Sequence, residues 1–256
     1  MSDTVLLPAV PAVPFREELF QPAAALSYSH VRAQLAPGLT LFVGKPLASP
    51  LALPFCAPWL EQQQTVVAVD VANCFNLYRL TEWAKRKRLD SPALLQRLRI
   101  ARAFTPFQLA TILCHIGAEM DRHRARRLVL TGLPDCLYDE ELSEPEARNT
   151  FARCRTHLLR LAERHTVLAF SDWPAHPVEG RRAFRKTLLA AARLVLEVAQ
   201  TGPATTSLGR FTFVPVKAPG LLTIAKEAEE AEIQDSHRAT EAQRKFLLPK
   251  TRNYAP

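Results

Sequence analysis

Gly44 and Lys45 follow an apolar run, Leu39 to Val43, and a glycine–lysine pair in that place invites comparison with a phosphate-wrapping loop. Such a loop needs glycines so that backbone N–H groups can surround phosphate. It also needs a lysine on the terminal phosphates and a hydroxyl on magnesium. Here the chain reads Gly44-Lys45-Pro46-Leu47-Ala48-Ser49-Pro50, without the GxxxxGK[ST] spacing and with proline where the hydroxyl belongs. The pair reads as an ordinary strand-end turn or as a collapsed phosphate loop, and the missing wrapping geometry favours the turn. A second cluster, Gly180 to Lys186, places Arg181, Arg182, Arg185 and Lys186 around Phe184. Four cations and one ring could hold backbone phosphate and stack a base; a solvated basic helix start is the simpler reading. Cys154 and His157 stand three apart, but two further ligands for a structural metal are not evident, so core packing is expected. Asp172-Trp173 follows an apolar run and could mark a ligand edge, although Trp in that place more often packs. No Ser/His/Asp or Cys/His arrangement stands out.

These residues must be positioned by a core, and 256 residues with 48% apolar content can build one large α/β domain plus extensions. The formal charge of +8 permits an acidic partner such as nucleic acid without establishing one. Five scattered cysteines with no CxxC suit reduced thiols in an intracellular protein. Met1 to Phe15 has no basic stretch ahead of its apolar residues, so no secretory leader is expected, and no apolar run approaches a bilayer span.

Residues 1–37, rich in proline and alanine, read as an extended arm. Leu39–Val43 is a short buried strand. Residues 44–60 carry Pro46, Pro50, Pro54 and Pro58, a spacing that argues against a long helix. Thr65–Asp70 is a β-branched run suited to a strand covered on both faces. Asn76–Arg88 is a helix with cations at its C-terminal end. Arg97–Ala103 is a strand, and Thr105-Pro106 caps a helix reaching about His123. Leu128–Thr131 and Thr166–Phe170 are further strands, flanking a helix opened by the capping box Ser143-Glu144-Pro145-Glu146. Residues 187–198 fit strand or helix, 210–216 alternate like an edge strand, and 221–247 read as a charged helix ahead of a polar tail. Alternating strands and helices predict a mostly parallel sheet with helices on both faces.

Several local words resemble the core of the RecA-type strand-exchange recombinases of eukaryotes and archaea, over roughly residues 39–217. Asp70 and Phe75 match the ends of that family's Asp-Thr-Glu-Gly-Thr-Phe motif, and Arg79-Leu80 match the start of its next helix. Ala101-Arg102-Ala103-Phe104 with Gln108-Leu109, and Leu158-Leu159-Arg160-Leu161-Ala162, match further words in the same order. The resemblance implies a RecA-like α/β core over residues 38–220, between the arm at 1–37 and the charged tail at 221–256. It places the catalytic glutamate at Ala72. Alignment through Cys136-Leu137-Tyr138 places the fourth-strand aspartate at Gly132. With Gly44-Lys45, three parts of a hydrolysis machine are degenerate.

The family's first DNA loop corresponds to Tyr138–Glu144, which is acidic and repels phosphate. The second falls on 173–186 and contains the Arg181–Lys186 cluster. The family's Phe-x-x-Ala docking segment is matched in form by Phe20-Gln21-Pro22-Ala23, although Phe107-Gln108-Leu109-Ala110 also fits. Docked, Phe20 and Ala23 would seat on a neighbouring subunit; otherwise they are arm residues covering this chain's own Leu51, Leu53, Phe55 and Trp59.

The expectation is a non-enzymatic, cofactor-free accessory subunit in DNA recombination or repair. Its partners would be a related RecA-like ATPase or repair protein and possibly DNA. The competing expectations are an NTPase with an unorthodox phosphate loop and a scaffold in an unrelated complex.

Overall fold

The computed structural model describes residues 25–44, 48–172, 180–200 and 211–217. Helix α1 (Tyr28–Ala33) precedes strand β1 (Gly38–Val43). A 3-10 turn at Ser49–Leu51 leads into α2 (Ala52–Glu61) and β2 (Val66–Asp70). Then come α3 (Leu77–Arg86), α4 (Ser91–Gln96), β3 (Leu98–Arg102), α5 (Pro106–Arg122) and β4 (Arg127–Thr131). A second 3-10 turn, Asp135–Tyr138, precedes α6 (Glu144–Arg164), β5 (Thr166–Ser171), α7 (Arg182–Ala191), β6 (Leu194–Gln200) and β7 (Phe211–Lys217).

The sheet runs β3-β2-β4-β5-β1-β6-β7. All pairings are parallel except β6 with β7. Strands β2 and β5 are buried along their whole length, as apolar runs between two helical layers should be. Helices α5, α6 and α7 cover one face, where Leu41, Val69, Leu128 and Val167 meet Leu113, Phe151, Leu158 and Leu188. Helices α1 to α4 cover the other, where Phe42, Ala68 and Phe170 meet Val31, Phe55, Leu60 and Leu80. The α/β class, with a RecA-like arrangement of a mostly parallel sheet between helices, is as the sequence leads one to expect.

Two local expectations need correction, and a third, left open by the sequence, is resolved. The proline-rich segment 44–60 contains a helix, α2, and its prolines explain how. Pro54 lies in the first turn, where backbone N–H groups have no intrahelical partner to lose. Pro58 lies inside the helix and leaves the carbonyl of Pro54 without its usual donor. The Tyr28 hydroxyl donates to that carbonyl at 2.7 Å. The second correction concerns the arm. Leu26 bridges antiparallel to Phe213, and Val31 on α1 is completely buried, so residues 25–37 belong to the domain rather than to an extended arm. The third is 187–198, which contains both candidates: the end of α7 and the start of β6. The proposed helix at 221–247 lies outside the described residues.

Among the described residues no helix is long and apolar enough to cross a membrane.

Candidate functional site at the strand carboxyl ends

Parallel α/β sheets bind ligands beyond the carboxyl ends of their strands, and here β1, β2, β4 and β5 all end on one rim. The residues on that rim mainly bond to one another. Asp70, 1% exposed, ends β2. Its Oδ1 accepts from the Cys74 N–H at 3.0 Å and from the Thr131 hydroxyl at 3.1 Å. Its Oδ2 accepts from the Phe75 N–H at 3.2 Å and lies 3.5 Å from the Arg102 guanidinium. Thr131, at the end of β4, in turn accepts the N–H groups of Val71 and Ala72, each at 3.2 Å. The turn after β2 is thereby tied to β4 through a buried carboxylate and hydroxyl.

A second set of bonds joins β5 to the first turns. Asp135 accepts from the Ser171 hydroxyl at 2.7 Å and from the Asp172 N–H at 2.9 Å. Asp172 accepts the Ser49 N–H at 3.0 Å, and the Cys74 thiol donates to the Ser49 carbonyl at 3.2 Å. Burial raises the Asp135 carboxyl above the ordinary aspartate range, with the Asp172 carboxylate adding to the rise and the bonds from Ser171 and Asp172 opposing it. Burial and the adjacent Asp70 push the Cys74 thiol up to about 12, so it stays protonated and weakly nucleophilic at neutral pH.

Ala72 and Gly132, the positions that the sequence resemblance singles out, fall on this rim. Gly132 (φ +75°) and Ala72 are in contact: a Cβ at Gly132 would stand 3.1 Å from the Ala72 backbone nitrogen. An aspartate at Gly132 would meet both backbone strain and the turn after β2. Gly44 ends β1 against β6, where an added Cβ would meet the Val198 carbonyl at 3.0 Å, so close packing is what it provides. Lys45 and Trp173 lie outside the described residues.

The Arg181–Lys186 cluster divides. Arg181 is 3% exposed, and its guanidinium donates to the carbonyls of Leu137 (2.8 Å), Asp139 (2.5 Å) and Leu142. It fastens the acidic loop to the start of α7. Phe184 is buried and stacked on Phe151, with ring centroids 4.4 Å apart. Neither side chain can therefore serve as the DNA contact expected of it: one is spent on carbonyls and the other on core packing. Arg182, Arg185 and Lys186 are exposed on α7. Arg185 interacts with Tyr138 and Glu197, and the acidic loop held by Arg181 lies beside this helix. Phe20 and Ala23 lie outside the described residues. Cys154 is buried, and among the described residues no group of three or more metal-ligating side chains occurs.

Sequence reasoning missed a groove between α2, α3 and β7, of about 570 Å³, walled by Leu53, Ala57, Trp83 and Phe213. The readable signal was the Arg79, Trp83, Arg86 spacing, which repeats on one helical face. Compared with known proteins, the chain matches no family model and no curated relative.

Replacing Arg181 with Ala should cost about 3 kcal/mol, because three carbonyls lose charged donors at once, while Arg182→Ala should change stability by less than about 0.5 kcal/mol. Urea unfolding of the two variants measures the contrast, and equal effects would remove the pin. Asp135 gives a pH test. Its folded pKa is raised, so the folded state binds its proton more tightly than the unfolded chain does. Its contribution is therefore best at low pH and declines as pH rises from about 3.9 through the raised folded value. Asp135→Asn should gain on the wild type across that window and hold a constant difference above it; a difference independent of pH would sink the assignment.

Proposed function

We propose that the chain is a catalytically inactive RecA-like recombinase paralogue, an accessory or structural subunit in DNA recombination or repair that works through protein contacts. The observation that carries the reading is the contact between Ala72 and Gly132 on a rim whose carboxylates are already engaged. Asp70, Asp135 and Asp172 each accept hydrogen bonds from neighbouring turns, so the rim is bonded to itself where hydrolysis would need a general base and a metal-supporting carboxylate. The recombination and repair assignment comes from the sequence resemblance, since fold alone does not fix function. An intracellular compartment goes with that assignment, and no cofactor is required by it. Protein contacts are favoured by the exposed rings of Tyr78, Phe104 and Phe107. The partner would be a related RecA-like ATPase or a repair protein.

An NTPase with an unorthodox loop at Gly44-Lys45 is the enzymatic rival. Purified protein with magnesium and ATP should release no phosphate above a blank and show no rise in thermal midpoint. A ligand at a hundred times its Kd would add about 2.7 kcal/mol, which such a melt would reveal. Turnover abolished by Lys45→Ala would overturn the inactive reading. A scaffold role in an unrelated complex is separated by copurification from the native host.

Any direct DNA contact should be weak, independent of sequence and confined to Arg182, Arg185 and Lys186. Converting Arg182 and Lys186 to Ala should then flatten the slope of log K against log salt by about 0.9 per lost phosphate contact. An unchanged slope, or no binding at low salt, removes DNA from the partners of this chain.

A further inference from the structure

The groove between α2, α3 and β7 has an apolar floor and a charged rim. Leu53, Ala57, Trp83 and Phe213 give the floor, and Tyr28 also lines it. On the rim, Arg79 and Arg86 lie seven residues apart along α3, two turns on one face. Glu82, between them, is paired with Lys85 at 3.0 Å. Among the described residues neither arginine forms an ion pair. The recess is therefore shaped for a short apolar segment carrying negative charge.

The chain itself holds such a segment, ending at the groove. Ala25 is the first described residue. Leu26, next to it, bridges to Phe213 on the groove's floor, and Tyr28 is part of the wall. The preceding sequence reads Phe15-Arg16-Glu17-Glu18-Leu19-Phe20-Gln21-Pro22. It places apolar Phe15, Leu19 and Phe20 around two consecutive glutamates. Phe20 is five residues from Ala25, a reach of up to about 17 Å. A tether that short gives an effective concentration in the millimolar range, which favours the chain's own segment over a free competitor.

We propose that residues 15–20 of this chain seat in its own groove, with Phe15, Leu19 and Phe20 toward the apolar floor and Glu17 and Glu18 toward Arg79 and Arg86. This does not rest on the loss of ATPase chemistry. It gives Phe20 an intramolecular role in place of docking on a neighbouring subunit.

The test uses the full chain. Cys74 lines the groove, and Cys114 is exposed and does not line it, so the ratio of their alkylation rates by mass spectrometry reports cover over the groove. Cys74 is intrinsically slow because its thiol is protonated and bonded to Ser49, so its wild-type rate is only the baseline, and in the wild type an apolar dye should bind little. In F15A/L19A/F20A, the Cys74 to Cys114 ratio and dye binding should both rise several-fold, and added peptide of residues 10–24 should return both to wild-type values. The charge-reversed Arg79→Glu/Arg86→Glu chain should behave like the triple variant, and should be restored by adding Glu17→Arg/Glu18→Arg. Arg79 and Arg86 are exposed, and a cooperative melt of every variant confirms that each chain is folded. Identical labelling in wild type and triple variant overturns the proposal. So does a wild type that is dimeric where the triple variant is monomeric, since the segment would then seat on a second copy. Peptide that binds the wild type as well as the variant also overturns it, because the groove would then stand empty.

Discussion

Phe42, one residue from the C-terminal end of β1, holds the fold's second layer to its sheet. Its ring stacks on Phe170 of β5 at 4.5 Å and 7°, meets Phe55 of α2 at 4.7 Å, and meets Phe213 of β7 edge-on at 5.9 Å. One side chain thus joins two neighbouring strands, the helix that crosses them and the antiparallel edge. Ring pairs of this geometry add to the gain from apolar burial, and all four rings are fully enclosed. The position of α2 follows from this packing. Its aromatic and aliphatic residues fill the layer, so the segment after β1 is committed to the core soon after it leaves the strand.

That commitment bears on the rim. Polar groups at strand ends must find partners, and among the described residues they find one another. Asp70 and Thr131 close the gap between β2 and β4, while Asp135, Ser171 and Asp172 do the same between β5 and the turn at Ser49. Buried groups arranged this way are costly to release, because each would lose a partner before a ligand could provide one. Gly132 has a positive φ, and the turn after β2 comes so close to it that an added Cβ would stand 3.1 Å from the Ala72 nitrogen.

The sheet was legible because its strands are short continuous runs such as Val66–Asp70, and the helix starts were legible from local capping. Ser143 and Glu146 form the expected reciprocal cap, and Thr105 accepts from the Gln108 N–H at 3.2 Å. Helix α2 was not legible: the residue that compensates for Pro58 is Tyr28, far away in the chain. The same distance hid the role of Arg181. A run of cations beside a ring looks like a surface for phosphate, whereas the carbonyls that occupy Arg181 belong to a loop some forty residues earlier. On the rim, Ala72 and Gly132 could be singled out from sequence by resemblance alone. Their contact could not, since it depends on strand pairing between β2 and β4.

The bond from Tyr28 to the Pro54 carbonyl has a further consequence for cooperativity. A helix ordinarily supplies its own donors, and can fray or reform without reference to distant parts of the chain. Helix α2 takes one donor from a six-residue helix too short to persist alone in water. Opening α1 therefore uncovers a carbonyl inside α2, and opening α2 leaves the Tyr28 phenol without its acceptor. The two helices are thus coupled at one bond, and opening either leaves the other with a buried polar group to satisfy.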